Sequence, residues 1–269
     1  MEALLPNVRI AFDAYAEFLR KSNERLNLTA VPDAETYSRH FEDSLALLRF
    51  ADFKGKRVID IGSGAGFPGV PLKLAEPSIA LTLVDASRKR VEFLRELAAL
   101  LRIDATILHA RAEELALPVG RVQRDAAPTL DFATDGLSGQ RDAAPTFGAV
   151  SYGENLSSNA PDSSLPKPDS CREHYDIAVS RAVARMSVLA ELCLPFVQVG
   201  GLLLALKGSN ADAELADADA LIESLGGSVQ SCERYERGAV VVVRKLRPTD
   251  SRYPRTWKQI SRGSREGTI

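Results

Sequence analysis

The segment Arg57 to Gly69, R-V-I-D-I-G-S-G-A-G-F-P-G, constrains this chain more than any other. Val58 and Ile59 are β-branched and Ile61 follows Asp60, so a short buried strand runs directly into the alternate glycines Gly62, Gly64 and Gly66. Pro68 suits the first turn of a helix, because its φ is already fixed and it has no N–H to leave unsatisfied. The unit reads as strand, glycine loop and helix start, a layout in which backbone approaches a ligand closely and free N–H groups favour an electron-rich partner. Spacing then narrows the ligand. A dinucleotide-binding G-x-G-x-x-G would need glycine where Phe67 stands, and no G-x-x-x-x-G-K-[ST] phosphate loop occurs in the chain.

At 269 residues the chain can bury a sizeable α/β core with additions. Its formal charge of −2 means that any nucleic-acid contact must come from a local patch. Cys171, Cys193 and Cys232 are widely spaced without a C-x-x-C pair, which argues against a disulfide framework and against a zinc site, and implies a reducing, cytoplasmic setting. Polar and acidic residues interrupt the apolar ones from Met1 to Arg20, and no long apolar run follows, so neither a signal peptide nor a membrane span is expected.

Leu5, Val8, Phe12, Tyr15 and Leu19 recur at helical steps, and Asp33 is placed to cap a second helix with the stripe Tyr37, Phe41, Leu45 and Leu48. Residues 1–50 thus form a helical extension, expected as a lid on the sheet edge, in which His40 is read as a structural hydrogen bonder rather than a site residue. Beyond the glycine loop, Pro68 to Ala75 reads as a short helix and Ala80 to Val84 as a strand ending in Asp85. An acid at the tip of the second strand, about 20 residues past the glycines, is placed to accept hydrogen bonds from ribose hydroxyls; the plainer reading is that Asp85 begins a turn. Ser87 then caps a helix with Val91, Leu94, Leu97 and Leu101 on one face and Arg88, Lys89 and Arg90 in its first turn, where cations oppose the helix dipole. A third strand, Ala105 to His109, brings Ala112 and Glu113 towards the binding edge, where they could meet an adenine ring; Glu113 reads equally well as a helix-start acid.

Residues 118–172 change character. They are rich in Pro, Ser, Ala, Gly and Asp, and Q-R-D-A-A-P-T appears at Gln123 to Thr129 and again at Gln140 to Thr146, so a disordered, low-complexity insertion is expected. The fold resumes with a strand from Tyr175 to Val179, a helix from Met186 to Val197 stopped by Gly200 and Gly201, and a strand from Leu202 to Leu206 ending at Lys207. A helix carrying Leu215, Ala218, Leu221, Ile222 and Leu225, then a hairpin of Ser228 to Tyr235 and Ala239 to Val243, complete it. Residues 51–117 and 173–247 therefore form one α/β domain, a mostly parallel sheet with an antiparallel finish. The insertion leaves from the rim opposite the binding loops. The tail, residues 248–269, continues a basic stretch that begins at Arg244; Arg252 and Arg255 with Tyr253 and Trp257 interleaved suit phosphate contact and base stacking, or simply a solvated terminus.

The order of motifs is more specific than any one of them. N-x-x-L-N-L-T at Asn23 to Thr29, H-x-x-D-S-L at His40 to Leu45, D-I-G-S-G-A-G-F-P-G at Asp60 to Gly69, R-A-E-E at Arg111 to Glu114, S-R-A-V-A at Ser180 to Ala184, L-K-G at Leu206 to Gly208 and Y-P-R at Tyr253 to Arg255 together resemble the bacterial RsmG family, also called glucose-inhibited division protein B. The resemblance spans nearly everything except the insertion and the T-W-K-Q-I that follows Arg255. It implies a Rossmann-like class I fold that uses S-adenosylmethionine (SAM) as methyl donor. It also implies methylation at N7 of one guanine in 16S ribosomal RNA near the decoding region, with the small ribosomal subunit as partner and a monomeric enzyme. By the same resemblance Gly62, Gly64, Gly66, Phe67, Asp85, Ala86, Ser87, Ala112, Glu113 and Arg181 would hold SAM. Arg181 and Lys207 are the candidates for positioning the base, and Arg88, Lys207, Arg252 and Arg255 for contacting RNA. The residues agree with N7 chemistry, since Ser180-Arg181-Ala182 is not the Asn/Asp-Pro-Pro-aromatic loop of amine methylation and Cys193 sits among core residues. A SAM- or RNA-binding module without catalysis, and a nicotinamide oxidoreductase, are the alternatives.

Overall fold

The strand expected before the glycine loop, β1 (Arg57–Ile61), lies inside the sheet, paired in parallel with β2 (Ala80–Asp85) on one side and β4 (Tyr175–Arg181) on the other. Its Val58, Ile59 and Ile61 are buried on both faces, as apolar runs in parallel strands must be. A computed structural model describes residues 6–117, 171–181 and 184–263. Within them, α1 (Pro6–Leu26) and a run of helical turns over residues 33–49, containing α2 (Asp43–Leu45), come before β1. After it come α3 (Gly69–Ala75), β2, α4 (Arg88–Leu101), β3 (Ala105–His109), α5 (Ala112–Leu115), β4, α6 (Met186–Cys193), β5 (Val197–Lys207), α7 (Ala211–Ser224), β6 (Gly227–Tyr235), β7 (Gly238–Lys245) and α8 (Trp257–Gly263). The strand order is β3-β2-β1-β4-β5-β7-β6, parallel up to β5, with β7 antiparallel to both of its neighbours.

That order decides where a ligand can go. From β1 the chain winds outwards through β2 and β3, then returns to place β4 and β5 on the other side, so the direction of winding reverses between β1 and β4. The carboxyl ends of these two strands open a crevice that no crossover helix covers. One core layer lies under α6 and α7, around Leu189, Phe196, Leu203 and Ile222. The other lies under α1, α3 and α4, around Phe12, Phe41, Leu83 and Phe93.

Three expectations need correction. The helical extension is not a lid on the sheet edge: α1 packs across α3 and α4, and α2 packs on α3. Its second helix is not regular. Asp33 makes no side-chain cap, and the chain passes from a 3-10 turn (Asp33–Glu35) through a π turn (Tyr37–Glu42) to a second 3-10 turn (Ala46–Arg49). The altered winding rotates the inward stripe, burying Phe41, Leu45 and Leu47 and leaving Leu48 38% exposed. The helix expected from Met186 to Val197 stops at Cys193, and Val197 to Gly201 join β5. Gly200 and Gly201 therefore sit inside a strand: Gly200 has φ +88°, and a Cβ on Gly201 would fall 2.6 Å from the Asp176 carbonyl oxygen. The expected insertion lies outside the described residues except for Cys171 and Arg172.

Arg172 closes the rim where β4 begins. It donates to the carbonyls of Ala116 and Tyr253, both at 2.9 Å, and of Thr249 at 2.7 Å. The basic stretch after β7 is folded onto the same rim. Lys245 is fully buried, donates to the Leu194 carbonyl at 2.7 Å and to the Thr249 hydroxyl, and has its pKa lowered to about 8 by burial. Arg255 grips Glu191, itself 0% exposed, through Nε and Nη2, while the Arg255 backbone N–H donates to the same carboxylate. Replacing Arg255 by alanine leaves that buried carboxylate with only the backbone donor. Because the Arg255 side chain is itself 38% exposed, we expect a loss of about 2 kcal/mol rather than the larger cost of a fully buried pair, read from the shift in urea midpoint; an unchanged midpoint contradicts the pairing.

Candidate active site at the carboxyl ends of β1 and β4

The glycine loop leaves β1 with Gly62, Gly64 and Gly66 at φ +72°, +58° and +94°, a left-handed path open to glycine and costly for other residues. Asp85, at the tip of β2, holds it there. One carboxylate oxygen accepts the Gly64 N–H at 2.9 Å and the other accepts the Ser87 N–H at 2.8 Å, which ties the loop to the start of α4. Ser87 does occupy the N-cap of α4, but its side chain forms no cap hydrogen bond. Gly66 is pressed against the helical extension, since a Cβ there would meet the Tyr15 hydroxyl at 2.6 Å. That hydroxyl donates to the Ala65 carbonyl.

Beneath the loop, Asp60 is 0% exposed. Its Oδ2 accepts the Gly69 N–H at 2.8 Å, while Oδ1 is the one buried side-chain polar atom without a hydrogen-bond partner among the described residues. Burial pushes the Asp60 pKa up to about 7, against the pull of the Gly69 N–H and of Arg181.

Across the crevice, Arg181 ends β4. Its guanidinium donates to the Arg39 carbonyl at 2.7 Å and to His40 Nδ1 at 2.6 Å, and lies 5.0 Å from the centre of the Phe67 ring. The Phe67 ring stacks against both His40, at 4.4 Å, and Tyr15, at 4.9 Å. An arginine has no acceptor, so His40 Nδ1 must be the bare nitrogen and Nε2 carries the proton, which it donates to the Thr29 hydroxyl at 3.0 Å. Burial, aided by the charge of Arg181, pushes the His40 pKa down to about 3. The imidazole is thus neutral with both nitrogens engaged.

These groups border a cavity of about 600 Å³, within the range of small-molecule sites. Its wall includes Gly62, Gly64, Phe67, Arg181 and Lys207 among the expected residues. Gly66, Asp85, Ala86 and Ser87 stand behind the loop or beside it, and Ala112 and Glu113, both buried, sit at the neighbouring tip of β3. Lys207 is turned into the protein, donating to the Ala184 carbonyl and pairing with Glu214, both at 2.6 Å. Arg88 is outside the cavity wall and pairs with Glu92 at 3.0 Å. Arg252 and Arg255 belong to the segment packed on the opposite rim, so the structure does not bring them to this cavity.

Sequence reasoning left His40, Asp43, Tyr235 and Arg237 out of the wall. His40 and Asp43 are in the H-x-x-D-S-L stretch, and their spacing was the available signal. It pointed to a shared helical face but not to the crevice that this face borders. Arg237, in the β6–β7 turn, reaches the helical extension and donates from Nε to Asp43 Oδ1 at 2.8 Å.

The family model described as rRNA small subunit methyltransferase G matches residues 9–134 and 166–242. The chain is similar to the ribosomal RNA small subunit methyltransferase G of Bacillus cytotoxicus, 34% identical over 263 residues, which span 94% of this chain and 89% of that protein. It is also similar to that of Ligilactobacillus salivarius, 36% identical over 91% of this chain and 86% of that protein. Among solved structures, the branched-chain polyamine synthase of Thermus thermophilus superposes with a TM-score of 0.50 at 13% identity, over 88% of this chain and 64% of that one, a likeness of fold alone.

The two buried groups predict a pH signature. The unfolded chain protonates His40 near 6.5 and the folded chain near 3, so the stability from a neutral imidazole is complete above pH 6.5 and is lost as the pH falls towards 3. Asp60 acts in the opposite sense. Its proton is retained in the fold up to about pH 7 but released near 3.8 by the unfolded chain, so its contribution is complete below pH 3.8 and is lost as the pH rises through 7. Removing His40 isolates one slope. His40→Asn should therefore destabilise the protein more at pH 7.5 than at pH 5, by about 2 kcal/mol in urea denaturation. An equal penalty at both pH values contradicts a neutral, buried His40.

Proposed function

This chain belongs to the rRNA small subunit methyltransferase G family, and from that membership we propose that it transfers the methyl group of SAM to N7 of one guanine in 16S ribosomal RNA. The observation that carries the N7 reading is the state of His40. It is the one imidazole in the cavity wall among the described residues, it donates from Nε2 and accepts at Nδ1, and with a pKa of about 3 it is a poor proton acceptor. Methylation of an amine or a ring carbon must shed a proton; N7 carries an in-plane lone pair and sheds none. An imidazole that is not poised to take a proton suits that target. Cys193, the nucleophile that carbon methylation would need, is fully buried on α6, its pKa pushed up by burial.

The residues present fit SAM. Gly62 and Gly64 let backbone line the cavity, and in this reading Asp85 takes the ribose, Ala112 and Glu113 the adenine, and the unpartnered Asp60 Oδ1, buried beneath the loop, the cationic amino-acid end. When bound, SAM supplies an electrophilic methyl group on a sulfonium. A guanine N7 lone pair would accept that methyl group from the sulfonium, leaving the purine cationic with no proton for the protein to remove. The protein's part is placement and exclusion of water. Arg181 is fixed by Arg39 and His40; in this reading it holds the base through O6, since a guanidinium on N7 itself would block the attack. In this reading the chain acts as a cytoplasmic monomer on the small ribosomal subunit or its RNA, residues 51–117 and 173–247 forming the methyl-transfer domain.

Incubating the chain with SAM and small subunits that lack the modification, then digesting the RNA for mass spectrometry, should yield 7-methylguanosine; a different methylated nucleoside refutes the N7 assignment. Arg181→Ala should lower the yield about 100-fold while 7-methylguanosine remains the product.

A further inference from the structure

The cavity has two ends. One is the glycine loop with Phe67 and, beneath it, Asp60. The other is made by Asp43 of α2 and by Tyr235 and Arg237 of the β6–β7 hairpin. Arg181 lies between them, close enough to feel Asp60 and Tyr15 on one side and Asp43 and Tyr235 on the other. If the methyl donor occupies the loop end, a base presenting N7 to it extends towards Asp43.

We propose that Asp43 reads the guanine, its carboxylate accepting the N1–H and the exocyclic amine N–H of the Watson–Crick edge. This rests on the guanine reading given above. The argument is first one of elimination. Guanine is the base whose edge presents two adjacent donors, and a carboxylate accepts both at once. Asp43 is the only carboxylate lining the cavity among the described residues. The other charged groups there, Arg39, Arg90, Arg181, Lys207 and Arg237, can only donate, and both nitrogens of His40 are committed. Adenine would set an unprotonated N1 against the carboxylate, so the same contact rejects it.

Asp43 is also built to stay in place. It is 8% exposed, and Arg237 Nε–H meets Oδ1 at 2.8 Å while Arg237 Nη2 reaches Glu42 at 3.3 Å. The Tyr235 hydroxyl also meets this carboxylate, which keeps lone pairs for donors beyond these two. Electrostatics favours the reaction as well as the binding. The purine becomes cationic as N7 takes the methyl group, and a carboxylate at its far edge is drawn to the charge more strongly then than before.

The test pairs one variant with one altered base. Small subunits are assembled with 16S RNA carrying either guanosine or inosine at the target position, inosine lacking the exocyclic amine. They are methylated with radiolabelled SAM by the wild-type chain and by Asp43→Asn, and SAM affinity is measured separately by titration. The wild type should form 7-methylguanosine and methylate the inosine target about tenfold more slowly. Asp43→Asn should lose about 100-fold on guanosine, bind SAM within about twofold of wild type, and no longer prefer guanosine to inosine. Equal rates on both bases by the wild type, or full activity of Asp43→Asn, overturn the assignment while leaving N7 methylation standing. A wild-type product other than 7-methylguanosine takes the function itself down, and this inference with it. Should Asp43→Asn fail to bind SAM, the wild-type comparison of the two bases decides alone.

Discussion

The contact on which the rest of the site depends is the one between Phe67 and the helical extension. Three glycines at positive φ give the loop its path but also the largest conformational entropy to lose, and nothing in a glycine side chain can anchor it. The anchor is supplied from outside. Tyr15 and His40 stack on the Phe67 ring, Phe41 meets its edge, and the Tyr15 hydroxyl takes the Ala65 carbonyl. Stacked and edge-on aromatic contacts of this kind contribute about 0.5–1.5 kcal/mol each beyond their buried area, comparable to the cost of ordering one glycine. The position that excludes a dinucleotide fingerprint is therefore the position that fastens the loop.

The same seam organises the charges. Arg181 cannot lose its proton, so by bonding to His40 it forces the imidazole into one tautomer and keeps it neutral. His40 in turn fixes one arm of the guanidinium and the Arg39 carbonyl fixes another. Asp60 experiences both burial and the proximity of Arg181, and its pKa settles between the two influences. His40, the imidazole that could have done acid–base work, is thus occupied in holding Arg181, which is what a positioning role requires of it.

Much of this was legible beforehand, and what was not has identifiable causes. The strands were readable because a parallel sheet demands β-branched runs that end at its binding edge, and Asp85 was readable because its place follows from topology. His40 and Asp43 were harder. The H-x-x-D spacing looked like an ordinary amphipathic helix, whereas the π turn rotates these two side chains to the crevice and moves the buried stripe from Leu48 to Leu47. Composition misled at the C-terminal end. A run of cations with aromatics reads the same whether it faces water or packs inward, and only tertiary contacts reveal Lys245 buried against Leu194 and Arg255 closed on Glu191. Gly200 and Gly201 carried the usual mark of a helix stop, yet within a strand Gly200 supplies a positive φ and Gly201 a close approach, which a local pattern does not distinguish.

Arg172 ties together segments far apart in sequence in a way that bears on how the domain closes. By bonding to Ala116 on one flank, and to Thr249 and Tyr253 beside the other, it makes the spatial separation of the flanks a property of the domain rather than of the sequence that connects them. For a flexible connection, doubling its length then costs only about 0.6 kcal/mol of closure entropy. The rim concerned faces away from the cavity, so the clasp steadies the domain at a distance from the site. The clasp makes this rim a place where the fold closes on itself without drawing on the residues of the cavity.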